Sequence, residues 1–275
     1  MIPYPAIDPV AIRIGPVAIR WYGIMYLLGF LSAWAMVSRE IRMTIHSQEA
    51  RKREEQLLDI LLAYLILGLI LGGRLGYCLF YNPSYYMAHP MEILATWHGG
   101  MSFHGGAIGA AMAGAFFCKR HGESFLRWAD RFVLPAPIGL FFGRIGNFIN
   151  GELYGRPTDV PWAMIFPQGG PIPRHPSQIY EAVLEGPILF LILYIIKRQQ
   201  PPTGVLFGQF FLAYGALRFF VEFFRQPDPQ LGFIAFGWLT MGQLLSVGIM
   251  CGGMIILSII GSGSRRNITR QSLGE

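Results

Sequence analysis

Gly143-Arg144-Ile145-Gly146-Asn147-Phe148-Ile149-Asn150-Gly151-Glu152-Leu153-Tyr154-Gly155 closes an apolar run that begins near Phe132. It sets an arginine, two asparagines and a glutamate where lipid-facing sequence carries none. At helical spacing Arg144, Asn147 and Asn150 follow at three-residue intervals and share one face. An arginine inside a membrane segment is costly. It faces a protein interior or a polar cavity unless it snorkels to the interface from a helix end. Two asparagines and a glutamate beside Arg144 weigh toward the cavity.

The rest of the chain supplies the membrane. Of 275 residues, 53% are hydrophobic and only 14% charged, against roughly 25% charged in soluble domains. Long apolar runs recur, so the expected fold is an all-α polytopic membrane protein, one transmembrane domain over residues 1–275. About seven helices are expected, at 17–37, 57–81, 100–118, 132–150, 179–196, 204–224 and 236–260. Residues 1–17, punctuated by Pro3, Pro5, Pro9 and Pro16, read as irregular or interfacial, and Pro135 and Pro137 as a bend in the fourth span. No charged n-region or small-residue cleavage site opens the chain, so no removable signal peptide is expected. Cys78, Cys118 and Cys251 form no CxxC or Cys/His cluster, so neither a disulfide framework, a metal site nor a cofactor is expected.

The net charge of +6 is read as loop lysine and arginine, not as a nucleic-acid surface. Loops after the first, third, fifth and seventh spans hold 5, 4, 2 and 3 Lys plus Arg, the last in a basic tail (Arg265, Arg266, Arg270). The opposite side holds five: Arg13, Arg20, Arg156, Arg174 and Arg225. The positive-inside rule then puts the N-terminus outside and the C-terminus in the cytoplasm, with a small extracytoplasmic loop region at 151–179.

With that topology, polar residues of five spans fall at one depth. Arg74 and Arg144 lie roughly 10 Å below the outer ends of their helices, at 1.5 Å per residue. Tyr22, His104 and Arg218 occupy the outer portions of theirs. Independent snorkelling would scatter such residues over both leaflets, whereas clustering in one suggests a polar cavity. Tyr214, Arg218 and Glu222 share one helix face at i, i+4, i+8, and Glu222 can pair with Arg218 or with Arg225. Guanidinium presents a planar fork matched to phosphate oxygens. His104 sits between Gly99-Gly100 and Gly105-Gly106. Such glycines serve close helix packing or a backbone approach to a ligand, and an imidazole of pKa about 6.5 is suited to general-base work. Arg74 reads as helix–helix glue. These residues describe a cavity for an anionic amphiphile, most simply a phospholipid headgroup. They leave open a lipid-modifying enzyme or a lipid or anion transporter.

The stretch from Gly143 to Gly155 resembles the signature of bacterial prolipoprotein diacylglyceryl transferases. The resemblance extends to Trp21-Tyr22-Gly23, to His104 within Gly99–Gly106, to His175-Pro176-Ser177-Gln178-Ile179-Tyr180-Glu181, and to Tyr214–Gln226 with Arg218, Glu222 and Arg225. It implies transfer of a diacylglyceryl group from phosphatidylglycerol to the lipobox cysteine thiol of a preprolipoprotein. A thioether forms and glycerol phosphate leaves. The implied setting is the bacterial cytoplasmic (inner) membrane, with the active site toward the outer leaflet. The implied partners are phosphatidylglycerol, the signal-peptide and lipobox segment, and the bilayer. On this resemblance Arg144 and Arg218 bind the phosphate and stabilise the leaving group. Asn147, Glu152 and Gly155 shape the headgroup pocket with Tyr214 and Glu222. His104 is a base or a substrate-positioning residue, and Tyr22 a hydrogen-bonding partner.

Overall fold

The computed structural model describes residues 2–15, 17–96, 99–227 and 232–272, with side chains described for these except residues 17 and 263–272. The tail cations Arg265, Arg266 and Arg270 therefore lie outside the described side chains. In order come β1 (Val10–Ile14), β2 (Val17–Arg20), α1 (Trp21–Thr44), α2 (Gln48–Phe80), α3 (Pro83–Ala88) and α4 (Phe103–His121). Then follow α5 (Phe125–Val133), α6 (Ala136–Asn150), α7 (Ser177–Val183), α8 (Leu189–Arg198), α9 (Val205–Val221) and α10 (Met241–Ser272). This is a helical membrane protein. Four helices are long and apolar enough to cross a bilayer: α1, α2, the continuous run Ser177–Arg198, and Met241–Ser262 of α10. The bent pair α5 and α6 makes five. Their 49° bend falls at Pro135, where a proline at a helix start gives up an N–H that has no partner anyway.

One correction concerns the N-terminus. Residues 17–20, read as the start of the first span, are strand β2, and the preceding stretch read as irregular contains β1. The two pair antiparallel, Ile14 with Val17 and Ile12 with Ile19. The cause is the repeated Val-Ala-Ile-Arg at 10–13 and 17–20 around Gly15. Its β-branched residues favour strand, and Gly15 takes the positive φ of +56° that the turn needs.

The chain divides into two compact units, one of Met36–Phe125 and one of Met1–Ala35 with Leu126–Glu275. In the Met36–Phe125 unit α2 lies on α4 through glycines. Gly68, Gly72 and Gly76 recur every four residues and meet Gly105 and Gly109. A Cβ on Gly72 would approach Gly105 O and lie 2.7 Å from Gly109 Cα, and one on Gly76 would lie 2.8 Å from Gly105 Cα. Backbones this close gain dispersion and weak C–H···O contacts where lipid supplies no hydrophobic drive.

In the other unit α9 meets α10 similarly. A Cβ on Gly215 would lie 2.6 Å from Met250 Cγ, and one on Gly253 2.8 Å from Gly208 O. The first turn of α9 is capped from α5, as Asp130 accepts hydrogen bonds from Gly204 N (2.6 Å) and Phe207 N (2.8 Å). The first turn of α10 carries a reciprocal cap. Thr240 N donates to Gln243 Oε1 (3.0 Å) and Gln243 N to Thr240 Oγ1 (3.2 Å).

Candidate active site

The signature stretch ends α6 and turns. Gly151 takes the left-handed φ of +67°, the usual close of a helix. Glu152 then folds back, its Oε1 accepting from Asn147 Nδ2 (2.8 Å) and Asn150 Nδ2 (3.2 Å). The asparagines are thus held by the glutamate, and Asn147 is buried. The next segment is stitched to the start of α7. Ser177 Oγ donates to Leu153 O (3.0 Å) and Gln178 Nε2 to Glu152 O (2.6 Å). Gly155 lies where three backbone segments cross. Its N–H donates to His175 O (2.9 Å), and a Cβ there would stand 2.6 Å from His175 O, His175 Cβ and Phe224 O alike. No side chain fits, so Gly155 serves close backbone approach.

From Gln178, Glu181 is three residues on and Glu185 seven, one face of a helix. Both carboxylates are fully buried. Arg144 on α6 meets both: its Nη1 is 2.9 Å from Glu181 Oε2 and its Nε 3.0 Å from Glu185 Oε2. Arg218 on α9 comes to the other oxygen of Glu185, Nε to Oε1 3.7 Å, and to Glu222, Nη1 to Oε2 2.6 Å. Arg225 is 3.5 Å from Glu181. Glu222 accepts from Thr240 Oγ1 (3.0 Å) at the start of α10, where the helix dipole favours an anion. Gly242 leaves room for it, since a Cβ there would lie 2.5 Å from Glu222 Oε1. The result is one chain of alternating charge, Arg225–Glu181–Arg144–Glu185–Arg218–Glu222, three cations against three anions. The carboxylates lie at 0–5% side-chain exposure while the guanidiniums keep 13–16%. The anions form a floor, and the cations keep an open face. Tyr214 lies one turn before Arg218, its ring stacked on Phe210 with centroids 5.7 Å apart.

Among the residues singled out by sequence, Arg144, Arg218 and Glu222 are brought into this network, with Tyr214 one turn before Arg218. Asn147 and Glu152 adjoin it through Gln178, and Gly155 through its backbone bridge to Arg225. Tyr22, at the first turn of α1, lies against Gly146, whose Cβ would stand 2.7 Å from the Tyr22 ring. His104 belongs to the Met36–Phe125 unit, an exposed residue in the first turn of α4. There Ser102 caps the helix, accepting from Gly105 N (3.2 Å), and Gly105 is spent on packing against α2. Arg74, in the same unit, is buried and binds backbone carbonyls: Ile93 O (2.8 Å), Gly99 O (2.5 Å), Gly100 O (3.1 Å) and Glu92 O (2.6 Å). It ties the segment leading into α4 to α2.

Sequence reasoning passed over Glu185. The signal was present, since two acids four apart inside an apolar run are as anomalous as an arginine.

Outside the spans, the loop of residues 151–176 is pinned by its own arginines. Arg156 Nε donates to Arg225 O (2.9 Å), and Arg174 Nη1 to Gln226 Oε1 (3.1 Å). His175 Nδ1 is 3.1 Å from Tyr180 Oη, and burial lowers the His175 pKa below the ordinary value. Among the described residues no group of three or more His, Cys, Asp or Glu is disposed to hold a metal ion.

A family model described as prolipoprotein diacylglyceryl transferase matches residues 9–259. The phosphatidylglycerol–prolipoprotein diacylglyceryl transferase of Nitratidesulfovibrio vulgaris (strain DP4) is 52% identical over 258 residues, 94% of this chain and 96% of that protein. The protein of that name from Pseudomonas aeruginosa (strain LESB58) is 52% identical over 94% of this chain and 95% of its own length. That from Pseudomonas fluorescens (strain SBW25) is 53% identical over 261 residues, 94% of each chain.

Proposed function

This chain belongs to the prolipoprotein diacylglyceryl transferase family, and from that premise we propose how its residues carry out the transfer. The enzyme moves the diacylglyceryl group of phosphatidylglycerol to the lipobox cysteine thiol of a preprolipoprotein, the first step of bacterial lipoprotein maturation. The thiol sulfur attacks the glyceryl carbon that carries the phosphate ester. A C–S bond forms, that C–O bond breaks, and glycerol phosphate leaves with the electron pair. The thiol proton passes to a base or to the released phosphate. The nucleophile comes from the substrate, so the enzyme's task is to hold a phosphodiester and stabilise charge growing on it.

The observation that carries this reading is the pair of guanidiniums, Arg144 and Arg218, joined through one buried carboxylate with their outer surfaces open. Each sets Nε and Nη1 against the floor of glutamates, and the 13–16% of its side chain that stays exposed is the surface left to meet phosphate oxygens. Six residues that sum to zero charge hold themselves together before lipid arrives. The incoming monoanion then meets donors already aimed, which avoids reorganisation at the moment of reaction. Asn147, Glu152 and Gly155 shape the headgroup pocket beside them, and Tyr214 and Glu222 complete its wall. Tyr22 hydrogen-bonds to lipid or peptide, and His104 takes the thiol proton or positions the peptide.

In this reading α4, 19 residues long, and α9, 17 residues, are crossings too, giving seven with α5 and α6 counted as one. The N-terminus is outside, the C-terminus is cytoplasmic, and the site faces the outer leaflet of the bacterial cytoplasmic membrane. No observation favours the transporter reading.

The test uses purified protein in detergent, phosphatidylglycerol labelled in its non-acylated glycerol, and a lipobox peptide. Expected are labelled glycerol phosphate and a peptide heavier by one diacylglyceryl unit through a hydroxylamine-resistant bond. Bound or translocated lipid with neither product would overturn the reading.

A further inference from the structure

The geometry points to Glu185 as a positioning residue that sets the separation of Arg144 and Arg218, through a π-helical turn built for it. The inference rests on the reading of those arginines as phosphate ligands. Glu185 ion-pairs with both, Oε2 to Arg144 Nε at 3.0 Å and Oε1 to Arg218 Nε at 3.7 Å. It is fully buried, and among the described residues its Oε1 makes no hydrogen bond. That oxygen is held by charge alone, across the gap between two helices.

The helix carrying Glu185 is not regular there. Residues Leu184–Ile188 form a π turn, in which Leu189 N–H reaches back five residues to Leu184 O. Two residues cause it. Pro187 has no N–H to give Val183 O, and Gly186 takes φ −94°, ψ −106°, outside the helical range. Gly186 also lets α6 close in, since a Cβ on it would lie 2.8 Å from Phe141 Cβ. Phe141 is one turn before Arg144. The same turn therefore brings α6 near and swings Glu185 between the two arginines. A regular helix would carry Glu185 round by the extra residue that a π turn absorbs, and π turns are frequent at functional sites.

The consequence is kinetic. A bound phosphodiester carries one negative charge, which both arginines meet and which tolerates some error in their spacing. In the transition state a second charge grows on the departing phosphate, and stabilising it needs the second arginine at the right distance. Glu185→Gln leaves the network with one uncompensated positive charge. Lipid then binds at least as well while the spacing is lost. The expected result is a KM for phosphatidylglycerol equal to or below that of the unaltered enzyme, with kcat lower by ~100-fold, as misplacement by about 1 Å can produce. Glu185→Asp keeps the charge and shortens the reach by one methylene, so it serves one arginine and not both. Its KM should stay within about threefold and its kcat should fall similarly. This second variant decides the matter if Glu185→Gln does not accumulate folded.

Rates are taken per folded enzyme, determined by thermal unfolding in detergent. A carboxylate of purely structural importance lowers the folded amount and leaves the kcat of the remainder unchanged. That outcome, or a raised KM with unchanged kcat, overturns the inference. Absence of both products with the unaltered enzyme strikes the underlying reading instead.

Discussion

A guanidinium that meets two carboxylates with two different nitrogens has no substitute among the other cations. Arg144 uses Nε for Glu185 and Nη1 for Glu181, and an ammonium is a point charge without that fork. Arg144→Lys should therefore lower kcat by ~100- to 1,000-fold, the loss typical of a removed transition-state donor, with membrane-embedded protein still accumulating. Near-normal turnover in the product assay would take Arg144 out of the mechanism. The glycines of the same signature separate by what surrounds them. Gly155→Ala pushes a methyl into two carbonyl oxygens at 2.6 Å and should abolish transfer. A Cβ on Gly143 meets nothing within 4 Å, so Gly143→Ala should keep full activity and gain up to ~1 kcal/mol in helix propensity. Equal damage from both, read by activity and thermal unfolding, would contradict the packing. His175 carries a pH dependence. Burial lowers its folded pKa, so the unfolded chain binds a proton more readily. Stability of the 151–176 loop is unaffected well above about pH 6.5 and declines as pH falls below that value toward the folded pKa. Limited proteolysis between pH 7 and pH 5 should show increasing cleavage in this loop, and His175→Gln should flatten the trend. The arginines and asparagines of the site were legible one by one, because polar residues in apolar sequence are anomalous. Their partners were less so, because Glu181 and Glu185 are distant in the chain from Arg144 and only helix packing pairs them.

At the scale of elements, glycine decides how closely helices approach. Gly72 faces Gly105 O and Gly109 Cα across the α2–α4 contact. Gly72→Val must separate the helices and should cost ~1–3 kcal/mol, as overpacking does, seen as a lower unfolding temperature in detergent. An unchanged temperature would mean the contact is looser than described. The apolar runs of α1, α2 and α10 were readable from composition, since lipid demands them. The bend at Pro135 was readable from its prolines. The β1–β2 hairpin was not, because four prolines in seventeen residues argue against regular structure, while its actual cause was a short repeat around one glycine. The π turn at Glu185 also escaped. A proline inside an apolar run signals some irregularity, and whether the helix kinks, breaks or widens depends on what packs against it, here Phe141.

At the scale of the whole molecule, charge asymmetry orients the chain. In the proposed topology, fourteen Lys and Arg against five put the C-terminus in the cytoplasm and the 151–176 loop outside by the positive-inside rule. Single-cysteine labelling from either side of intact cells should reach positions in 39–53 only after permeabilisation and positions in 157–172 without it. The reverse pattern would invert the topology and move the site to the inner leaflet. Membrane class, the apolar spans and the suspicious polar residues were determined by the sequence alone, because transfer from water to lipid is a property of composition and needs no partner. Which charges neutralise which, why Gly155 admits no side chain, and how one glutamate comes to span two arginines were decided by the tertiary structure. Those are facts of distance between segments far apart in the chain, and a few ångströms separate a compensated buried charge from a ruinous one.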